Sequence, residues 1–183
     1  MRRSFNVFLV VGSLALTSSA PLAGQAYVFA GAGVTVPSSD YSEYADAGWT
    51  TTAGLLVPVG TGFLVGGQGF YGRNGHKDIA GDRTDLLGAM GLVYRTFGEP
   101  DGITPFASLG AGYMQHSFKS ESTPSAEASD SGFAMSGGVG IEVPLGGLRG
   151  FVSGAYFAGF GPLRETRFVA GNLGLGIPLG GGM

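Results

Sequence analysis

From Tyr27 onward the chain is a series of short apolar, glycine-punctuated runs broken by polar stretches. None of the runs carries a helical period. Runs such as "YVFAGAGVTV" and "FASLGAGYM" are rich in β-branched and aromatic residues and have the length of strands. The pattern predicts eight strands: about Tyr27–Val36, Gly48–Pro58, Phe63–Tyr71, Thr84–Phe97, Ile103–Phe118, Ser131–Pro144, Gly150–Phe160 and Arg167–Leu179. The breaks alternate in kind. "PSSDYSEYADA", "GRNGHKDIAGDR", "KSESTPSAEASD" and "GPLRET" are polar, the first three long, whereas "VGTG", "GEPDG" and "LGGLR" are tight and glycine-rich. Long loops are therefore expected at one end of a sheet and hairpin turns at the other. Pro58, Pro144 and Pro178 recur just before a glycine-rich stop, where the missing N–H costs the ladder least. The repeating unit is a two-stranded hairpin.

The two faces of the predicted strands differ. In the sixth, Phe133, Met135, Val139, Ile141 and Val143 oppose Ala134, Ser136, Gly138, Gly140 and Glu142. In the last, Val169, Leu173, Leu175 and Ile177 oppose Ala170, Asn172, Gly174 and Gly176, and the fifth follows suit. In the fourth, Leu86, Met90, Leu92 and Tyr94 oppose Asp85, Leu87, Ala89, Gly91, Val93 and Arg95. One face is bulky and the other small. The first and seventh strands alternate less cleanly. Most charges lie in the breaks or within a residue or two of them; Arg95 and Glu142 stand inside predicted strands. A soluble sandwich would show a charged face along each strand. These strands show none, so the bulky face is expected to meet lipid and the small face to fill the lumen of a closed barrel. On that rule Arg95 and Glu142 both point inward near the turn end, and they are expected to approach each other there as structural lumen charges.

Composition sharpens this picture. Of 183 residues only 13% are charged, 44% are hydrophobic and 36 are glycine, without the Gly-X-Y period of collagen. No cysteine is present, which removes disulfides, thiol nucleophiles and cysteine metal sites. At the N-terminus Arg2 and Arg3 precede an apolar stretch, Val7–Leu16, and small residues ending at Ala26. This is the three-part form of a secretory signal peptide over residues 1–26, with the barrel domain over 27–183. Without the two leader arginines, the 10 basic residues fall to 8 against 13 acidic, a net charge of −5 that argues against a nucleic-acid partner. Aromatics gather near predicted strand ends. Trp49, Tyr71, Tyr94, Tyr113, Phe133 and Phe151 are expected to form interfacial girdles.

"TPFASLGAGYM", "FAMSGGVGIEVPLGGLRGFVSGAYF" and "VAGNLGLGIPL" resemble the strands of the small outer-membrane β-barrels, the group with OmpA-like and OmpX-like domains. The resemblance covers about Tyr27 to Leu179. It implies an all-β fold, an eight-stranded antiparallel up-and-down transmembrane barrel. It also implies export through the periplasm, insertion into the cell outer membrane by the barrel-assembly machinery, and a monomer surrounded by outer-membrane lipids including lipopolysaccharide. The chain departs from the family pattern at its end, which is Met183 and not an aromatic residue.

Candidate chemistry is thin. His76 lies in a polar break. His116 stands beside Ser117, and some small outer-membrane barrels are lipid A deacylases with a Ser–His pair. Adjacent strand residues point to opposite faces, however, so these two are not expected to meet. "GAGVTV" and "GGVGIE" are strand glycines, not phosphate loops. No catalytic residue, metal or cofactor is expected. The reading is a non-enzymatic outer-membrane barrel with a structural, adhesive or interaction role through its loops, the first and third being acidic. The alternatives are a lipid A-modifying enzyme and, further off, a narrow channel.

Overall fold

The computed structural model describes residues 26–77, 81–98, 102–121, 123 and 127–179. The predicted leader, but for Ala26, lies outside the described residues, as does the C-terminal 180–183. Eight strands follow one another: β1 (Ala26–Ser38), β2 (Ala45–Gly60), β3 (Phe63–His76), β4 (Arg83–Thr96), β5 (Thr104–Lys119), β6 (Ala128–Leu145), β7 (Leu148–Gly159) and β8 (Arg167–Leu179). Each pairs antiparallel with the next, and β1 pairs with β8 from Ala26↔Leu179 to Ser38↔Arg167. The sheet is a closed up-and-down barrel with no free edge, as the alternating breaks imply.

The tight breaks form one end, here the turn end. Gly62, Gly98 and Gly146 take positive φ there (+73°, +107° and +69°), the left-handed conformation that a side chain makes costly. At the other, loop end the strands run further than their pattern predicts. β5 and β6 have 16 and 18 residues, whereas about 9–11 tilted residues cross a bilayer. Much of what reads as polar loop is thus paired strand, and Asp46, Arg73, Arg83, Lys119 and Asp130 lie in strands rather than loops. Their charges are tolerated because these strand ends project beyond the apolar part of the barrel. Arg73 Nε stands 2.8 Å from Asp85 Oδ1, with Lys119 Nζ 3.7 Å from the other oxygen.

The outer face carries Val34, Leu55, Val93, Leu109, Val139, Val152 and Leu173, all exposed. β1 and β7 alternate as cleanly as the rest: Val28, Val34 and Val36, and Val152 and Tyr156, point outward. The interior is filled by two apolar clusters. Near the loop end Phe70, Leu86, Met90, Met114, Phe157 and Phe168 pack together. Near the turn end Leu56, Leu64, Leu92, Tyr94 and Phe106 do so, with Tyr27, Phe29 and Phe151 against them.

β4 corrects the rule of faces. Its bulky side, Leu86, Met90, Leu92 and Tyr94, is buried in the lumen, while Leu87, Val93 and Arg95 are on the outside. Eight strands enclose a space that side chains must fill. Where β6 and β8 offer glycine inward, another strand supplies bulk. Inward rings lie over inward glycines: a Cβ at Gly140 would stand 2.4 Å from Phe106 Cζ, at Gly174 2.3 Å from Phe151 Cζ, and at Gly88 2.2 Å from Phe70 Cε1. The glycine excess of the small faces therefore makes room for aromatic rings.

Candidate functional site in the barrel interior

The inward polar groups fall into three levels. Nearest the turn end is Glu142 on β6. Its carboxylate accepts a hydrogen bond from the Tyr94 hydroxyl at 2.5 Å and pairs with Arg149 Nη1 on β7 at 3.1 Å. Arg149 also stands 6.0 Å from the Tyr27 ring centroid. The pair forms because Glu142 and Arg149 both point inward near the β6–β7 turn, where Pro144 pairs with Arg149. Glu142 does point inward, but its partner is not Arg95. Arg95 lies on the outer face, 4.5 Å over the Phe63 ring and 5.4 Å from that of Phe97. Two features of the strands account for the difference. The facing of β4 was read from bulk, and the register pairs Arg95 with outward Phe63 and Ala107. Arg149 was read as a turn residue because its strand begins two residues earlier than its pattern shows.

The middle level is a chamber, part of a cavity of about 230 Å³ that runs from beneath Phe157 and Phe168 to the turn end. Thr52, Gln68, Ser108, Ser136, Ser153 and Asn172 give it a polar wall, and its lining continues down to the turn glycines Gly60, Gly62 and Gly98. Asn172 Oδ1 is buried without a hydrogen-bond partner in the protein.

The loop-end level is a plug. A single helical turn, α1 (Tyr41–Tyr44), folds into the mouth, and Tyr41 is fully buried. Tyr41 stands 5.6 Å from the His116 ring, and Tyr44 stands 5.6 Å from that of His76. His76 Nε2 lies 2.9 Å from Thr84 Oγ1 and His116 Nδ1 2.8 Å from Thr166 Oγ1. Burial pushes the Tyr41 phenol well above its usual range, and Tyr44 shifts the same way. From the last loop, Leu163 also turns inward and is buried. The sequence pattern puts Tyr41 and Tyr44 in a long polar break. Their three-residue spacing, one face of a helical turn, was the available signal.

Ser117 points outward, where its hydroxyl lies 3.0 Å from that of Ser129, so His116 and Ser117 are on opposite sides of the wall. Of the predicted girdle aromatics, Trp49, Tyr113 and Phe133 are exposed on the outer face. Tyr71 is also outward, its ring 5.4 Å from Trp49 and its hydroxyl donating to Asp85 Oδ1 at 2.9 Å. Tyr94 and Phe151 are not girdle residues: both point into the lumen, where Tyr94 stacks on Phe106 at 4.5 Å and Phe151 meets Phe29 edge to face at 6.2 Å. Their strand-end positions suit a girdle, but their parity along the pleat places them inside.

No protein-family model and no curated protein matches the sequence. Solved structures do match the fold. Neisserial surface protein A aligns over 83% of this chain and 96% of its own, at 12% identity and a TM-score of 0.67. Ail, the attachment invasion locus protein of Yersinia pestis, aligns over 85% and 99%, at 17% identity and a TM-score of 0.56. The N-terminal β-barrel domain of Pseudomonas aeruginosa OprF aligns over 85% and 99%, at 17% identity and a TM-score of 0.53. An all-β closed barrel of eight antiparallel strands, with an apolar outer face and a filled lumen, gives this chain the fold of the small outer-membrane β-barrels.

Proposed function

We propose that the chain is an integral outer-membrane barrel, exported through the periplasm, which does no chemistry and works through the rim at its loop end. The observation that carries this reading is the outer face. It is apolar around the whole barrel, while the lumen charges Glu142 and Arg149 are paired inside. Lipid tails suit such a surface and water does not. Trp49, Tyr71, Tyr113 and Phe133 then stand at the level of the lipid headgroups on the outer side, where lipopolysaccharide surrounds them, and Arg95 with Phe63 and Phe97 stands at the periplasmic side.

Charge indicates what the rim would hold. Asp40, Glu43, Asp46, Glu121 and Glu165 lie at this end. Several of the nearby cations are already engaged: Lys77 Nζ donates to the Ser42 carbonyl at 2.6 Å, Arg83 pairs with Glu121 at 3.2 Å, and Arg164 pairs with Glu165 at 3.6 Å. Ail has been solved with the heparin analogue sucrose octasulfate, a polyanion. An acidic rim repels such a ligand, so a neutral or cationic partner fits this chain better.

Membrane fractionation tests the reading. The protein is expected in the outer-membrane fraction, migrating differently on gels before and after boiling. Shortening residues 121–127 is expected to leave that heat-dependent migration intact, since β5 ends at Lys119 and β6 begins at Ala128. Recovery in the soluble fraction would overturn the proposal.

A further inference from the structure

We propose that the mid-barrel chamber is a binding site, entered from the turn end, for a small neutral aromatic molecule carrying one N–H or O–H donor. The site belongs to the interior and involves no partner of the rim. Three observations carry it. The cavity that contains the chamber has about 230 Å³ from the Phe157–Phe168 stack to the turn end, and an apolar cavity of about 150 Å³ already holds benzene. Its ends are aromatic: Phe157 and Phe168, stacked at 4.8 Å, close it toward the loop end, and Phe29 and Phe151 flank it toward the turn end. Between them its wall offers a hydrogen-bond acceptor. Gln68 Oε1 receives only a long bond, 3.5 Å from Thr52 Oγ1.

An amide oxygen held by one long bond is short of a partner, which is costly inside a protein. A ligand that donates to it recovers that cost, whereas a pure hydrocarbon does not. The apolar rings above and below favour a flat apolar body. Charge on the ligand is disfavoured at this depth, because the charges of Glu142 and Arg149 are already paired with each other and lie nearer the mouth. The chamber ends beneath the Phe157–Phe168 stack, and its lining reaches Gly60, Gly62 and Gly98. Entry is therefore from the turn end, the periplasmic side in the proposed topology.

The test is a titration of the isotope-labelled barrel, folded in phosphatidylcholine nanodiscs, with phenol, indole and toluene, followed by backbone amide shifts. Phenol and indole are expected to give saturable shifts at Ser136, Ser153 and Asn172. Toluene is expected to bind about fivefold more weakly, the worth of one net hydrogen bond. Gln68→Leu should erase the preference for phenol over toluene. Ser153→Phe, or Ser136→Leu if the first does not fold, should abolish the shifts by filling the space. Absence of saturable shifts at these amides, or shifts confined to outward positions such as Leu109 and Val139, would overturn the site. Equal affinity for phenol and toluene would overturn the assigned ligand class. Fractionation is read separately, so failure of the membrane assignment and failure of the chamber are told apart.

Discussion

Glu142, Arg149 and Tyr94 come from three strands and meet because the pleat turns all three inward at one level. Both charged side chains are largely shielded, about 15–17% exposed, so the pair is held in a poor solvent for ions. Removing one partner leaves the other without its counter-charge, whereas replacing both with apolar residues removes the problem. Glu142→Leu is expected to lower stability by about 2–4 kcal/mol, and Glu142→Leu with Arg149→Leu to recover most of that. Arg95→Ala, on the outer face, should change stability by about 0.5 kcal/mol or less. Urea unfolding of the refolded barrel, read as the shift in midpoint, separates the three. A deficit in the double variant equal to that of Glu142→Leu would refute the pairing. The inward course of Glu142 was legible because Ile141 and Val143 flank it with bulk on a strand whose other face is glycine. Arg149 was not legible, since a residue next to a Gly-Gly turn reads as turn, and only the ladder shows that pairing resumes at Leu148.

At the level of elements, strand number and order followed from breaks and periodicity, because turn chemistry is local. The facing of β4 did not, because bulk occurs on both sides of that strand and the deciding information, which neighbour offers glycine, is non-local. The Phe106–Gly140 contact makes this testable: Gly140→Ala is expected to cost about 1–3 kcal/mol through overpacking, read in the same urea experiment, and an unchanged midpoint would count against the ring-over-glycine account. The mouth was misread for a similar reason, since one helical turn has no period to detect. Tyr41 in α1 now gives that segment a pH dependence. Its phenol is neutral when buried and its pKa is raised. The opened segment would ionise near pH 10. Tyr41 therefore contributes its full stabilisation below about pH 10 and loses it as pH rises toward its own higher value. Proteolysis within residues 39–44 is expected to accelerate above about pH 10 in the wild type. Tyr41→Phe, which keeps the ring and removes the ionisable group, should flatten that acceleration, and an identical profile in both would rule out Tyr41 as the origin.

For the whole molecule, closure and filling decide what the barrel can pass. Eight strands give a lumen that side chains occupy. Here the occupation is uneven, with a chamber at mid-height and dense packing toward the loop end, where Leu86, Met114, Tyr41 and Phe168 are at or near zero exposure. An ion entering from the turn end would pass the Glu142–Arg149 pair and the chamber, and then meet the Phe70–Phe157–Phe168 group with ring centroids 4.8–6.4 Å apart. Rings so spaced are in contact, and an ion stripped of water there would pay a desolvation cost with nothing to offset it. The closed state is therefore set by side chains in two layers, the aromatic group and the α1 plug above it. In planar bilayers the wild type is expected to show no steady conductance step. Tyr41→Ala should stay closed because the aromatic group remains. Adding Phe157→Ala and Phe168→Ala should open a small, steady step if the barrel still folds, which heat-dependent migration reports. A steady step in the wild type would mean that the lumen is not sealed at this level, and would return the narrow channel as the better reading of the molecule.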